Sequence, residues 1–266
     1  MALTFVRLVA KSLVSRDPML RFSLLKSLGS VLVPGYRFKW PQMDWWGDKA
    51  FNRYLATFGE LDGMNTDRRW MIHQLLRIVD DVPGDTAECG VFEGAGSWLI
   101  CQANRSAAVP GRNHHIFDSF AGLSDPSGID GDYWTARALA CGEEVVRKNL
   151  AEFSNVEYYK GWIPDRFPDV KDRTFSFVHI DVDLHDPTRD SIAFFYSRMS
   201  DGGIIVVDDY GFASCPGATT AVDEFLADKP EKMIGLPDGG GFLLKGRFTA
   251  AAACLEPVSS SSRIAA

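Results

Sequence analysis

Several patterns that define common protein classes are missing from this sequence. Its five cysteines are odd in number, widely separated and without a CxxC pair: Cys89, Cys101, Cys141, Cys215 and Cys254. They indicate neither a disulfide framework nor a zinc site. Reduced thiols and a cytoplasmic location are therefore expected.

Long apolar runs are also missing. No stretch of the sequence approaches the roughly 18 consecutive apolar residues of a membrane span. The N-terminus lacks an apolar core followed by a small-residue cleavage site. We therefore expect a soluble protein.

Positive charge is scarce overall but uneven along the chain. The net charge of −7 argues against a general nucleic-acid binder. Residues 1–39 hold seven basic side chains and one acid, 7 − 1 = +6, which leaves −13 for the remainder. Residues 1–46 alternate apolar and basic positions between prolines, which predicts short amphipathic helices. These helices either pack on the core or a second subunit, or bind a membrane surface or an anionic partner.

Length and composition predict one main domain with an accessory segment. The chain has 266 residues and 46% hydrophobic content, enough for a sizeable α/β core. We expect an N-terminal helical extension or lid over residues 1–66, a main domain over 67–247 and a disordered tail over 248–266. The tail assignment depends on its alanine-rich and serine-rich composition.

Residues 175–210 predict a strand, a helix and a second strand parallel to the first. The runs 175–180 and 204–207 are short and largely apolar, as in strands covered on both faces, and such strands need a crossover to run parallel. Asp186 followed by Pro187 is the expected helix start. The apolar residues of this helix recur at helical spacing: Ile192, Phe195 and Met199.

The rest of the main domain alternates strands and helices. Strands are expected at 86–92, 115–117 and 156–159, with a terminal hairpin of 233–236 and 242–245. A largely buried helix is expected at 67–79, with Met71, Leu75 and Ile78 on one face, and another at 218–227. This alternation is typical of an α/β fold.

A glycine-rich turn follows the first predicted strand. Gly90, Gly94 and Gly96 follow Glu88 at a wider spacing than the GxGxxG fingerprint of pyrophosphate binders. An acid ahead of the glycines suits a ligand with positive charge or hydroxyls. Asp118 lies 118 − 94 = 24 residues beyond Gly94, near the roughly 20-residue offset at which an acid binds ribose hydroxyls. Together these features indicate S-adenosylmethionine, unless the glycines serve the backbone alone.

Four carboxylates follow the two strands of the 175–210 unit: Asp181, Asp183, Asp208 and Asp209. The carboxyl ends of parallel strands meet at the crevice where ligands bind. Adjacent acids repel one another unless a cation neutralises them, and oxygen ligands favour Mg²⁺ or Mn²⁺. Because alternate strand residues point to opposite faces, the expected metal set is Asp181, Asp208 and Asp209, with Asp183 supporting it. His185 is either a further ligand or base, or a hydrogen-bonding loop residue.

Five motifs, in this order, resemble the TylF-type macrocin O-methyltransferase family: AECGVFEGAGS, IFDSFAGL, GWIPDRFP, HIDVDLHDPT and GGIIVVDDYG. These are class I S-adenosylmethionine-dependent sugar O-methyltransferases of bacterial natural-product pathways. The resemblance covers residues 50–246. It implies a Rossmann-like class I methyltransferase fold, with a mostly parallel seven-stranded sheet, an antiparallel C-terminal hairpin and an N-terminal helical extension.

The resemblance also implies the functional residues. The cofactor is expected near the glycine-rich turn and the next strand end, at Glu88, Gly90, Val91, Phe92, Gly94, Ser97, Asp118 and Ser119. A magnesium ion is expected at Asp181, Asp208 and Asp209, with Asp181 also the general base. Homo-oligomers are expected, with the N-terminal helices contributing contacts and the lid. Trp162 and the loop 119–134 are expected to close over a sugar or glycoside acceptor.

Three alternatives stay open at this point. The same chemistry suits a polysaccharide, a glycolipid or a phenolic acceptor. A catalytically silent relative would act as a binding or scaffold protein. Asp181-x-Asp183 with a later acid pair also resembles a haloacid-dehalogenase-like phosphatase, although no lysine lies between positions 184 and 207.

Overall fold

The computed structural model describes residues 9, 11, 12, 14, 18–32, 44–61 and 65–246. The chain divides into two compact units, Met1–Thr66 and Asp67–Ala266. The predicted disordered tail, residues 248–266, lies outside the described residues.

The first unit contains helices α1 (Pro18–Leu32) and α2 (Lys49–Thr57) and a short 3-10 turn, Asp44–Gly47. Asp48 caps α2, since its carboxylate accepts hydrogen bonds from the backbone amides of Ala50 and Phe51 at 2.8 and 2.9 Å. Phe51 and Tyr54 are buried, with ring centroids 5.7 Å apart. These two aromatic residues of α2 therefore contact each other.

Helix α1 carries exposed apolar side chains. Leu25, Leu28, Val31 and Leu32 all face solvent. In the part of the chain that the structure describes, none of the helices combines the length and the apolar character needed to cross a bilayer.

A seven-stranded sheet forms the second unit, in the order β3-β2-β1-β4-β5-β7-β6. The strands are β1 (Asp85–Cys89), β2 (His114–Asp118), β3 (Val156–Lys160), β4 (Phe175–Ile180), β5 (Met199–Val207), β6 (Ile234–Gly235) and β7 (Gly241–Leu244). Neighbours among β1 to β5 pair in parallel, while β7 pairs antiparallel with β5 and with β6. The predicted mostly parallel sheet with an antiparallel C-terminal hairpin is confirmed.

Five helices accompany the strands, and three of them, between β1 and β2, β2 and β3, and β4 and β5, connect parallel neighbours. The five are α3 (Thr66–Leu75), α4 (Ala95–Ser106), α5 (Glu143–Asn149), α6 (His185–Tyr196) and α7 (Pro216–Leu226), with short 3-10 turns at Gly128–Asp130 and Phe167–Val170. Every residue of β4 is buried, as expected of a strand covered on both faces. Its side chains share a core with residues of β5, α6 and α7, among them Ile205, Phe195 and Val222.

Several predicted boundaries are wrong. Strand β1 ends at Cys89 rather than Phe92, because Gly90 turns the backbone with φ +77°. Met199 begins β5 and does not belong to α6. Ile78 lies past the end of α3 and is exposed, although Leu76 and Val79 beside it are buried, so the predicted helix is too long and its buried face does not include Ile78.

The start of α6 is also corrected. The N-cap is Leu184, not Asp186, and Asp186 lies in the first helical turn. The amide of His185 donates to Oδ1 of Asp130 at 2.7 Å. A carboxylate 55 residues away in sequence therefore satisfies an amide that has no partner within the helix.

The strand order reverses direction beside β1, which lies between β2 and β4. In open α/β sheets, ligands bind outside the carboxyl ends of the strands at such a switch point. The fold thus brings the glycine-rich turn after β1 and the acidic residues after β4 and β5 to one edge.

Candidate functional site

Backbone hydrogen bonds beyond the strand ends bring Asp181 and Asp208 together. The amide of Asp181 donates to the carbonyl of Cys89 at 2.9 Å, and the amide of Asp208 to the carbonyl of Ile180 at 2.8 Å. Ligand atoms of Asp181, Asp208 and His179 all lie within 4.8 Å of one another. Asp208 is buried and Asp181 partly buried.

Asp183 and Asp209 belong to a second group of possible ligands. Asp183, Asp209 and Cys215 are all buried, and their ligand atoms lie within 4.8 Å of one another. The Asp209 carboxylate accepts a hydrogen bond from the Asp183 amide at 2.7 Å. Asp183 has the unusual backbone angle φ 60°. The structure thus places Asp209 beside Asp183, and because Asp183 lies beyond the end of β4 with φ 60°, strand alternation does not decide where its side chain points. The expected metal set stays a prediction.

Burial and mutual repulsion disfavour the ionised form of three of these carboxylates and so raise their pKa values. Burial and the neighbouring Asp208 raise the pKa of Asp181 to about 6. Burial, with Asp181 and Asp208, raises the pKa of Asp183 to about 7. The pKa of Asp209 is also raised, first by burial and then by Asp183. A cation at this edge would relieve these costs.

Asp208 is the exception among the four acids. Burial alone would raise its pKa, but the Arg68 guanidinium and a hydrogen bond from His179 hold that pKa well below its usual range. Arg68, from α3, forms an ion pair with one Asp208 oxygen and also donates to the Asp208 carbonyl at 3.3 Å. Its guanidinium lies 5.1 Å from the ring centroid of Phe212. Asp208 therefore stays ionised between two cationic groups.

His179 joins the acidic edge to the glycine-rich turn. Its Nδ1 lies 2.7 Å from Oε1 of Glu88, and its Nε2 lies 3.4 Å from Oδ1 of Asp208. Burial alone would lower the pKa of His179, but these two carboxylates raise it to about 10. The position between two carboxylates therefore favours the protonated imidazole, in which both ring nitrogens can donate.

Two glycines of the turn make room for groups of the protein itself. A Cβ at Gly90 would overlap the carbonyl oxygen of Asp181, and a Cβ at Gly96 would overlap the carboxylate of Glu88. The Glu88 carboxylate is buried between His179 and the hydroxyl of Ser97. The alternative that these glycines serve the backbone thus holds for part of the motif.

The remaining predicted cofactor residues surround the same turn. Asp118 accepts hydrogen bonds from the amides of Val91 at 2.8 Å and Phe120 at 2.6 Å. Ser119 donates to the carbonyl of Gly122 at 2.9 Å. Phe92 is exposed, with φ 46°, and Gly94 caps α4 in the left-handed conformation. The turn after β1 is therefore bound to the end of β2.

The loop after β2 is anchored at two points. Asp130 accepts hydrogen bonds from the amide and hydroxyl of Ser127, both at 2.8 Å, as well as from His185. Trp134 Nε1 donates to the thiol of Cys215 at 3.2 Å. Tyr133 stays exposed between these anchors. The loop thus combines fixed points with an accessible aromatic side chain.

Trp162 follows β3 and is partly exposed, with the guanidinium of Arg137 lying 5.2 Å from its ring centroid. His185 Nδ1 lies 2.9 Å from Asp186, and its Nε2 lies 3.8 Å from Glu224. His185 is the first residue of α6 and not a loop residue, its ring hydrogen bond goes to Asp186, and a role as ligand or base stays a prediction.

The strand order, the antiparallel terminal pair, the glycine-rich turn after β1 and the acid ending β2 define a Rossmann-like class I methyltransferase. Residues 67–234 match the family described as Macrocin-O-methyltransferase (TylF). The chain belongs to this family and is an O-methyltransferase of the class that uses S-adenosylmethionine. The phosphatase alternative is thereby excluded.

Named relatives agree with this assignment. Demethyldecarbamoylnovobiocin O-methyltransferase of Streptomyces niveus is 32% identical over 183 residues, which cover 64% of this chain and 69% of that protein. The 8-demethyl-8-(2,3-dimethoxy-alpha-L-rhamnosyl)-tetracenomycin-C 4'-O-methyltransferase of Streptomyces olivaceus is 28% identical over 152 residues, 53% of this chain and 58% of that one. The chain thus spans less than two thirds of the second relative's length. The solved structure of the O-methyltransferase NovP has 29% identity and a TM-score of 0.60, covering 70% of this chain and 82% of NovP.

Two residues of the site, His179 and Arg68, were not predicted from the sequence. His179 lies two positions before Asp181 near a strand end, a spacing that places both side chains on one face and would have been a usable signal. Arg68 lies 140 residues before Asp208 on a helix. We find no sequence pattern that pairs these two residues.

Proposed function

We propose that this chain transfers the methyl group of S-adenosylmethionine to a hydroxyl of a sugar or glycosylated small molecule, with a divalent metal ion at the acidic edge. The observation that carries the proposal is the proximity of partly buried Asp181 and buried Asp208 at the switch point of the sheet, beside the glycine-rich turn. The name of the Streptomyces olivaceus relative, which acts on a rhamnosyl derivative, supports a sugar acceptor.

The cofactor side of the site is the turn after β1 together with the end of β2. S-adenosylmethionine supplies the methyl group as a sulfonium. Asp118 orders the turn by accepting hydrogen bonds from Val91 and Phe120. Phe92, in the same turn, is exposed. This preformed turn would hold the donor while the acceptor approaches from the loop side.

The acidic edge fits a hard divalent cation. Its donors are carboxylate oxygens, which Mg²⁺ and Mn²⁺ prefer, and the raised pKa values of Asp181 and Asp183 reflect burial first and repulsion by neighbouring carboxylates second. Asp181 and Asp208 would hold the ion, with Asp209 as the predicted third ligand. Such an ion lowers the pKa of a bound hydroxyl from about 15.7, which makes an alcohol nucleophilic near neutral pH.

The protein's own groups then position the acceptor and accept its proton. Asp181 is the proposed general base because it is partly exposed at the strand end while Asp208 is engaged by Arg68 and His179. The loop anchored by Asp130 would limit access of water to the acceptor. Positioning is expected to contribute much of the rate, since methyl transfer needs the oxygen roughly 3–3.5 Å from the carbon in line with the sulfur.

The proposal is tested by transfer from labelled S-adenosylmethionine to a panel of glycosides and catechols, with and without EDTA. We expect labelled glycoside product that disappears with EDTA and returns with Mg²⁺ or Mn²⁺. Product that is indifferent to EDTA would refute the metal role. Preference for catechols would favour a phenolic acceptor, and no product with any diol would favour the scaffold alternative.

A homo-oligomer, a cytoplasmic location and contact of the basic N-terminal segment with a membrane stay predictions. The exposed leucines of α1, with Arg21 exposed on the same helix, favour testing the last of these directly. Co-sedimentation of the full chain with anionic and with neutral vesicles distinguishes membrane contact from packing. Binding to anionic vesicles alone supports membrane contact, and its absence supports packing.

A further inference from the structure

A chain of buried polar groups runs from the glycine-rich turn to the acidic edge. Ser97 donates to one oxygen of Glu88, and the other oxygen lies 2.7 Å from Nδ1 of His179. The opposite ring nitrogen, Nε2, lies 3.4 Å from Oδ1 of Asp208. Glu88, Ser97 and His179 are at most 1% exposed.

Strand register puts these groups on one face. Glu88 of β1 and His179 of β4 are direct partners in the parallel ladder, so their side chains project to the same side of the sheet. Helix α4 covers that side with Gly96 and Ser97. A Cβ at Gly96 would overlap the Glu88 carboxylate and stand 3.3 Å from Nδ1 of His179. The helix therefore leaves a space shaped for this pair.

With both ring nitrogens directed at carboxylates, His179 is placed as a hydrogen-bond partner of Asp208. Each of its two ring nitrogens faces a different carboxylate, so the orientation of the imidazole is fixed at both ends. In metal sites, a carboxylate commonly orients a ligating histidine, and a ligating carboxylate is itself oriented by a hydrogen-bond partner. The pair thus has the form of an outer support for Asp208.

Asp208 is held from two sides that differ in accessibility. The His179 side chain is fully buried, whereas the Arg68 side chain is 17% exposed. An incoming cation would therefore meet Arg68 first, while His179 stays behind Asp208.

We propose that Glu88 and His179 form a buried positioning pair that aims Asp208 at the metal ion, so that the first acid of the glycine-rich turn serves the acidic edge and not S-adenosylmethionine. The inference rests on the proposed metal role. It also assigns Glu88 differently from the sequence-based prediction, which places it at the cofactor.

Two different substitutions of His179 test its contacts with Glu88 and with Asp208 one at a time. An asparagine amide nitrogen reaches the place of Nδ1 and a glutamine amide nitrogen that of Nε2, and both remove the imidazolium charge. His179→Asn keeps the donor toward Glu88 and loses the donor toward Asp208, and His179→Gln does the reverse. Binding of Mn²⁺ to the full chain is measured by electron paramagnetic resonance, and binding of S-adenosylmethionine by calorimetry.

We expect His179→Asn to weaken Mn²⁺ binding by about 10–100-fold, the usual effect of removing an outer support, and His179→Gln to weaken it clearly less. Glu88→Gln should weaken Mn²⁺ binding while S-adenosylmethionine affinity stays within about twofold. Equal Mn²⁺ affinity in His179→Asn and His179→Gln overturns the positioning role. If Glu88→Gln loses affinity for S-adenosylmethionine while its Mn²⁺ affinity is unchanged, Glu88 binds the cofactor and the inference is wrong.

His115 provides a matched control. It is also buried and also pairs with a carboxylate of β1, since its Nε2 lies 3.0 Å from Asp85, but at the start of that strand. His115→Asn should lower the melting temperature as His179→Asn does and leave Mn²⁺ affinity unchanged. An equal loss of Mn²⁺ affinity in His115→Asn would mean a general effect of destabilisation and would overturn the inference. A wild-type chain that methylates in EDTA and binds no Mn²⁺ overturns the metal role itself, together with the inference.

Discussion

Gly96 lies against the carboxylate of Glu88 with no room for a Cβ between them. We expect Gly96→Ala to displace the Glu88 carboxylate or shift α4, which costs about 1–3 kcal/mol of the free energy of unfolding, as overpacking usually does. Thermal melting measures this loss. Gly128→Ala is the control, because nothing lies within 4 Å of the added Cβ there. An unchanged melting temperature for Gly96→Ala would contradict the tight fit.

Asp209 separates metal-dependent chemistry from cofactor binding. Asp209→Asn keeps an oxygen that accepts from the Asp183 amide but removes the charge. We expect metal-dependent methyl transfer to fall below detection while the dissociation constant for S-adenosylmethionine stays nearly unchanged. Loss of both together would refute this division of labour. Exposed Asp223→Asn, on helix α7, serves as the control.

Asp130 joins the loop after β2 to the start of α6. Asp130→Asn keeps an acceptor for His185 but turns the other oxygen, which accepts from Ser127, into a donor. We expect a loss of about 1–3 kcal/mol, the cost of a mismatched buried polar group. KM for the acceptor should rise more than KM for S-adenosylmethionine. Exposed Asp132→Asn should alter neither constant, and a rise confined to S-adenosylmethionine would place this loop at the cofactor.

Glu231 makes stability depend on pH. Burial alone would raise its pKa, but hydrogen bonds from Tyr196, Gly246 and Lys245 hold it down to about 2. Since the pKa in the unfolded chain is about 4.3, this group stabilises the fold above that pH, and its contribution is lost as pH falls toward 2.

Glu231→Gln should therefore lower stability at pH 7 by on the order of 2–3 kcal/mol, and the difference from wild type should shrink steadily below about pH 4.3. Denaturant titrations across this range measure both effects. Glu157→Gln, at an exposed position of β3, should show no such difference. A deficit for Glu231→Gln that is constant with pH would contradict the assigned pKa.

Local sequence patterns account for most of the fold. The apolar run of β4 and the glycines after β1 each encode their structure within a few residues, so strand positions, the antiparallel hairpin and the acidic edge were predictable. Element ends were less so. The start of α6 depends on Asp130, which lies 55 residues away, and no local pattern encodes that contact.

The sequence by itself determined the class of the protein, because the order of the strands, the glycine-rich turn and the acids at strand ends are local features. Only the tertiary structure decided which side chains meet at the site. It paired Glu88 with His179 across 91 residues, placed Arg68 on Asp208 and put Asp209 beside Asp183. These pairings depend on strand register and on the backbone turns beyond the strand ends, where a shift of one residue reverses the face to which a side chain points.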